Sequence, residues 1–435
     1  MPFVDLPEDD VSYFYRSNLP GDGSAENLDR SKQTVIFTLG AMYDSASFVN
    51  QLNDPRLSSS YNLFAFDGRA QGQTRGPPQP ARDAWTDAVE MVKILDKLGL
   101  EKVHMFAGTW YTYQSALRMA ILFPGRILSV AAGPIERDRD ETMVQLEEIC
   151  KELLTLLSTS KDIQTMEDYL VEVFPYLFGE DLEEDQKDDF ALYIETQYPP
   201  VKLCRAMEFG QAIFGNRTPL TDKEAALVKL PVLLFAVDNL VDTVEMAEAL
   251  QKRLTGVPGG AHINILPDGA PSEAWYIRRY AGSVTTAFLS FIEKVGEKPQ
   301  LVTPTDIGAA FKIMTELSGN PAMAQRDPKK SMSFSCVTQD VLDQRREMYV
   351  IATQAQERGF NPVGPNGERP RRFSERYHEQ NRQRINSISS SVVIQVSVVH
   401  KDEEETAKSE LPVKEEQDHD LSMIGSRLKD LLLMG

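Results

Sequence analysis

The sequence predicts an α/β fold with a mostly parallel, doubly wound sheet, and three observations carry that prediction. Short apolar runs alternate with segments of helical apolar spacing over residues 10–135, and again over 231–298. Between them, residues 136–230 are acidic and helical in pattern, and the strand rhythm stops. After Lys298-Pro299 the chain turns polar and charged. These breaks divide it into a core first half (10–135), a helical insertion (136–230), a core second half (231–298), a helical extension (299–360) and a largely disordered tail (361–435) ending in an amphipathic segment.

Taken in order, Val11 to Arg16 alternates in the manner of an edge strand. Thr34 to Leu39 is a buried strand that runs into Gly40-Ala41, and Tyr61 to Phe66 is another. Trp85 to Leu98 is an amphipathic helix that stops at Gly99. Val103 to Ala107 meets Gly108-Thr109-Trp110-Tyr111-Thr112 and passes into a helical segment that ends at Phe123-Pro124-Gly125, a strand–turn–helix junction. Ile127 to Ala132 is the next strand. Helical spacing follows over Met143–Leu157, Met166–Phe178 and Asp188–Thr196. Pro231 to Asp238 and Ala261 to Pro267 resume the sheet, with helices over Met246–Leu254 and Ser283–Val295. The extension carries helical patterns over Thr303–Leu317 and Asp340–Arg358. No internal repeat occurs.

With 435 residues, 42% hydrophobic, the chain can bury one large core with material to spare. A formal net charge of −19 disfavours nonspecific binding to nucleic acid or anionic membrane. Cys150, Cys204 and Cys336 are scattered, without metal-ligand spacing, and fit a reducing compartment. The first ten residues lack a basic and an apolar region, and no apolar run is long enough for a bilayer, so a cytoplasmic location without a membrane span is expected.

Four motifs in order resemble the α/β-hydrolase superfamily over about residues 10–295. Leu39-Gly40 stands where those enzymes carry His-Gly before the oxyanion loop. Asp67-Gly68-Arg69-Ala70-Gln71-Gly72-Gln73-Thr74 resembles their Asp-x-Arg-Gly-x-Gly-x-Ser loop. Gly108-Thr109-Trp110-Tyr111-Thr112 resembles the nucleophile elbow, small-x-nucleophile-x-small, and Phe123-Pro124-Gly125-Arg126-Ile127 the Tyr/Phe-Pro-x-Arg-Val turn. The resemblance implies an esterase- or epoxide-hydrolase-like core, with 136–230 as a helical cap over the mouth of the site.

It also implies three triad positions, and none carries its expected group. Trp110 stands at the nucleophile, and an indole cannot attack a carbonyl. Thr109 is the alternative nucleophile, in a register that puts bulky Tyr111 at a small position. Ala236-Val237-Asp238-Asn239 resembles the acid turn with Asn239 at the acid; Asp238 and Asp242 are substitutes, more simply read as solvated turn residues. Pro267-Asp268-Gly269-Ala270-Pro271 resembles the stretch that ends in the catalytic His, with Pro271 in its place. His104 and His262 open their strands, at the end of the sheet away from the loops, and His378, His400 and His419 lie in the tail. Without a general base, the usual route to ester or epoxide hydrolysis is closed. The acidic run Glu180–Asp189 reads as a solvated helix face rather than a metal site, and no Gly-rich phosphate loop follows a strand, so no cofactor is expected.

What remains is a candidate pocket lined by Leu39, Gly40, Ala41, Met42, Trp110, Tyr111, Pro271 and Trp275, suited to a small apolar ligand. The competing reading is that Trp110 fills the vacated space as core. The tail offers an Arg-rich segment, 369–384, as a nuclear-localisation candidate, and a Val-rich segment, 392–399, that resembles a SUMO-interacting strand and so a protein partner. For the Arg-rich segment, interleaved Glu375 and Glu379 make a solvated helix the commoner explanation; for the Val-rich segment a buried strand explains it about equally well. The expected function is therefore a non-catalytic member of this fold that binds a small molecule or a protein, as in the N-myc downstream-regulated branch. The alternatives are a hydrolase with an unconventional site and a nuclear cofactor that acts through its tail.

Overall fold

The computed structural model describes residues 2–38, 43–100, 102–109, 111–133, 155–179, 182–238, 243–295, 305–364 and 372–375, with Ile135, Val144 and Glu152 besides. Its centre is an eight-stranded sheet: β1 (Phe3–Leu6), β2 (Val11–Ser17), β3 (Gln33–Thr38), β4 (Tyr61–Phe66), β5 (Val103–Ala107), β6 (Ile127–Ala132), β7 (Val232–Ala236) and β8 (His262–Ile265), in the spatial order β1-β2-β4-β3-β5-β6-β7-β8. From β4 through β8 every pairing is parallel, and β1 and β2 add on antiparallel. The inner strands are buried on both faces, which is why they read as unbroken apolar runs.

One strand expectation is corrected. Val11–Arg16 is not the edge: β1 pairs outside it, Phe3 opposite Phe14 and Leu6 opposite Val11. β1 is four residues long and includes Asp5, too short to give a periodic signal.

The longer helices are α1 (Ala84–Lys97), α2 (Thr112–Leu122), α3 (Ile163–Phe178), α4 (Glu184–Gln197), α5 (Leu203–Gly210), α6 (Val244–Arg253), α7 (Arg278–Ile292), α8 (Ile307–Ser318) and α9 (Gln339–Gln356). Asp83 begins α1 with a capping box, its carboxylate accepting from the N–H groups of Trp85 and Thr86. α1 and α2 pack on one face of the sheet; α7 packs on the other with the aromatic side chains of α3 and α4. Most of the helix expected over Met143–Leu157, and all of the tail beyond residue 375, lie outside the described residues.

The extension folds back onto the body. Phe311 and Met314 of α8 join the core beside α2, and Phe311 packs on Phe334 at 5.0 Å between ring centres. Ser331 donates through N–H and hydroxyl to the buried Asp9 carboxylate, and Cys336 N–H donates to the α1 cap, Asp83, at 2.7 Å. Arg345 of α9 donates to the Pro80 carbonyl, and Gln356 accepts from Cys204 N–H on α5.

Candidate functional site

The turn between β5 and α2 is tight for a visible reason. A Cβ on Gly108 would stand 3.2 Å from the Trp275 indole, so a larger residue there would press on the indole and have to displace it by a few tenths of an ångström. Thr109 is fully buried, and its hydroxyl lies 3.2 Å from that of Thr112, which also accepts from Thr109 N–H and donates to Thr109 C=O. Both threonines are thus spent on closing the turn. Trp110 lies outside the described residues, as do Leu39, Gly40, Ala41 and Met42. Tyr111 is buried and donates its hydroxyl to Asp87 of α1 at 2.7 Å. Burial, then the Asp87 charge, hold its phenol proton on well above the usual range.

After β8 the chain turns twice. Pro267 C=O accepts from Ala270 N–H, and Pro271 C=O accepts from Ala274 N–H. Pro271 is buried and offers no group that titrates. Trp275 is 2% exposed; its ring lies 4.5 Å from Phe48 and 5.3 Å from Tyr43, and its indole N–H donates to Glu273 at 2.7 Å. Its carbonyl accepts from Gln51, and the Tyr276 carbonyl accepts from Asn50, so the stretch is stitched to the segment after β3. Tyr43, 2% exposed, has no hydrogen-bond partner for its hydroxyl among the described residues.

Both described histidines sit at the opposite end of the sheet. His104 follows Val103 at the start of β5, fully buried, with Nδ1 2.8 Å from Ser129 Oγ and Nε2 3.3 Å from Gln33 Oε1. Burial lowers its pKa to about 4, so it is neutral at physiological pH. His262 opens β8, exposed beside Phe291. His378, His400 and His419 are outside the described residues, with Asn239 and Asp242. Asp238 is exposed at the end of its strand's turn. Of the acidic run, Glu183, Glu184, Asp185 and Asp189 are exposed, and Arg278 pairs with Glu183 and with Asp185 at 2.6 Å.

The loop after β4 is a different case. Asp67 accepts from Ser45 N–H and Gln73 N–H, both at 2.7 Å, and Thr74 donates to Asp67 C=O. Gly72 has φ +46°, and a Cβ there would collide with the Asp67 carboxylate. Ala70 holds φ +56°, a left-handed conformation that a side chain resists. Arg69, 2% exposed, lies against Glu90 with Nη2–Oε1 at 2.6 Å, and Tyr13 donates to the same carboxylate. Burial opposes the Arg69 charge, yet Glu90 and Tyr13 outweigh it and keep the guanidinium protonated. Arg82 bridges to Asp87 at 2.8 Å and to the Arg69 carbonyl at 2.7 Å. This buried polar cluster escaped the sequence reading. Its signal was Asp87 and Glu90, one helical turn apart among the apolar residues of α1.

A cleft of about 340 Å³ opens between the segment after β3, α4 and Tyr276; Tyr43, Asp44, Asn50, Gln186, Phe190 and Tyr193 are among its walls. Burial and Asp67 raise the Asp44 pKa to about 6.

No family model matches the chain, and no curated protein matches it. Its backbone does match solved structures. An enol-lactonase from Burkholderia xenovorans superposes with a TM-score of 0.51 at 16% identity, over 67% of this chain and 100% of that one. A carboxylesterase of the thaumarchaeon Nitrososphaera gargenis gives 0.52 at 12%, over 67% and 99%, and the α/β hydrolase MGS-M2 from a deep-sea metagenome 0.51 at 16%, over 70% and 99%. The chain has the α/β-hydrolase fold. In that fold the sharp turn after β5 and the loops after β7 and β8 meet at one end of the sheet. Gly108 and Trp275 are in contact range there, and neither described histidine is at that end. Among the described residues no helix is long and apolar enough to cross a membrane.

Proposed function

We propose that this chain is a catalytically degenerate α/β-hydrolase that binds a small molecule or a regulatory partner rather than turning over an ester. What supports the reading most is Pro271, buried in the loop after β8, in the stretch that resembles the one ending in the family's histidine base. The two described histidines support it, since each stands at the start of its strand, at the far end of the sheet. Trp110 at the nucleophile and Asn239 at the acid complete the departure. The ligand space in this reading is bounded by Leu39–Met42, Trp110, Tyr111, Pro271 and Trp275, beneath a cap formed by residues 136–230. The fold's catalytic relatives are the reason for a direct test.

Purified protein is expected to show no turnover of short-chain esters above background and no labelling by a fluorophosphonate, which requires a base-activated serine. Trp110→Ser alone is expected to stay inactive, because Pro271 still supplies no base. The triple variant Trp110→Ser, Asn239→Asp, Pro271→His is expected to regain measurable turnover if the three positions align as read. Fluorophosphonate labelling of the unmodified chain at Thr109 or Ser115 overturns the proposal.

A further inference from the structure

The Arg-rich segment 369–384 finds no role in the site above, yet the structure describes four of its residues in a defined place. Phe373 is 2% exposed, and its ring packs edge-on against Phe174 of α3 at 5.2 Å. Phe174 leans on Phe178 at 6.1 Å and on Phe190 of α4 at 5.6 Å, so Phe373 caps an aromatic socket. The next residue fastens it. Ser374 donates from its N–H to Asp188 Oδ1 and from its hydroxyl to Oδ2, each at 2.8 Å. One carboxylate on α4 thus holds one serine by two bonds, and the serine itself is only half-buried.

The sequence around that serine is Arg369-Pro370-Arg371-Arg372-Phe373-Ser374-Glu375. Arginines three and two residues before a serine are what the acidic substrate grooves of Arg-directed protein kinases bind, through charge-assisted hydrogen bonds. We propose that Ser374 is a phosphorylation site for such a kinase, and that the phosphate releases Phe373 from its socket. In the transfer, Ser374 Oγ attacks the γ-phosphorus of ATP. A new O–P bond forms, the β–γ bridging O–P bond breaks, ADP departs, and the hydroxyl proton passes to the kinase's catalytic carboxylate.

The docked arrangement cannot survive that step. A serine hydroxyl donates to Asp188; a phosphate can only accept, and it carries nearly two negative charges. Asp188 belongs to a helix whose first turns also hold Glu184, Asp185 and Asp189, with Lys187 the one base among them, and Arg278 already pairs with Asp185. The modified residue meets like charge instead of a hydrogen-bond acceptor. Phe373, adjacent in the chain, leaves with it and uncovers Phe174. Phe190, which Phe174 supports, is also a wall of the 340 Å³ cleft, so release of the segment reaches the cleft through one shared ring.

The test uses the full chain with ATP and the catalytic subunit of an Arg-directed kinase. Tandem mass spectrometry is expected to place a phosphoryl group on Ser374, and Arg371→Ala with Arg372→Ala to slow incorporation about tenfold or more. Amide exchange over residues 372–375 and 163–178 is expected to speed up about tenfold on phosphorylation, as like charges are forced together. Ser374→Ala removes the acceptor. Asp188→Asn, checked for a native far-UV spectrum and thermal transition, removes the repulsion, so phosphorylation there accelerates exchange far less. No phosphate on Ser374 while a synthetic 369–378 peptide is modified under the same conditions overturns the site. Unchanged exchange after modification, or an equal response in Asp188→Asn, overturns the release.

Discussion

Two loops at the same end of the sheet have had opposite fates. The loop after β4, Asp67–Thr74, follows the α/β-hydrolase pattern, and its polar side chains are engaged: Asp67 ties it to the segment after β3, Thr74 to β2, Arg69 to α1. The loop after β8 carries Pro271, which the family resemblance sets against a histidine, and is held by packing, with Trp275 wedged between Phe48 and Tyr43. The difference lies in what each side chain does for the fold. Removing Arg69 would strand a buried carboxylate, a cost borne in folding, whereas a catalytic histidine contributes to turnover and its loss leaves folding intact.

The comparison breaks most readily at Arg69. Arg69→Ala leaves Glu90 buried with its charge unpaired, and urea unfolding is expected to show a loss of about 3–5 kcal/mol. A loss below about 1 kcal/mol would mean that the β4 loop is no more structural than the β8 loop.

Trp275→Ala tests the other side. If the indole is core, stability falls by about 3–5 kcal/mol in the same measurement. A loss under about 1 kcal/mol, accompanied by binding of an aromatic probe in the space left, would show that Trp275 borders an open pocket.

His104 sharpens the distinction between a structural and a catalytic histidine. Its pKa is about 4 in the folded chain, against about 6.5 unfolded. Below pH 6.5 the unfolded chain takes a proton that the folded chain refuses, so folding loses stability as pH falls through that window. Nearly all of about 3 kcal/mol is gone by pH 4. Buried Asp44 and Asp83, each with a pKa raised to about 6, act in the opposite direction, so the comparison must be with a variant. His104→Asn is expected to show a shallower fall in stability between pH 7 and 4.5 than the parent. Identical slopes would mean that His104 titrates normally and is free to act as a base.

The smallest effect is expected at Ala70. The family pattern has glycine there, and the alanine is held at φ +56°. Ala70→Gly is expected to stabilise by about 0.5–1 kcal/mol, since relief of the left-handed strain exceeds the added freedom of the unfolded chain. Destabilisation would mean that the strain is relieved by the contacts at its carbonyl, which accepts from Tyr198 and Arg205.

The sequence by itself determined the parallel sheet, because strands buried on both faces must be apolar along their whole length, and helices covering a sheet must be apolar on one side. It also determined the chemical identities at Trp110, Asn239 and Pro271, which no packing can convert into a nucleophile, an acid or a base. Tertiary structure decided the rest. β1 is four residues long and exists because β2 offers it an edge. Asp87, Glu90, Arg69 and Arg82 look like surface charges in sequence and become a buried cluster only when α1 meets the β4 loop. The extension looks like a separate helical piece, yet Phe311, Met314 and Phe334 complete the core beside α2. Phe373 and Ser374 sit in an arginine-rich stretch and gain meaning only where Asp188 and Phe174 meet them. For Arg69, Phe311 and Ser374 the deciding partner is tens to hundreds of residues away, and periodicity read along a short window carries no information about it.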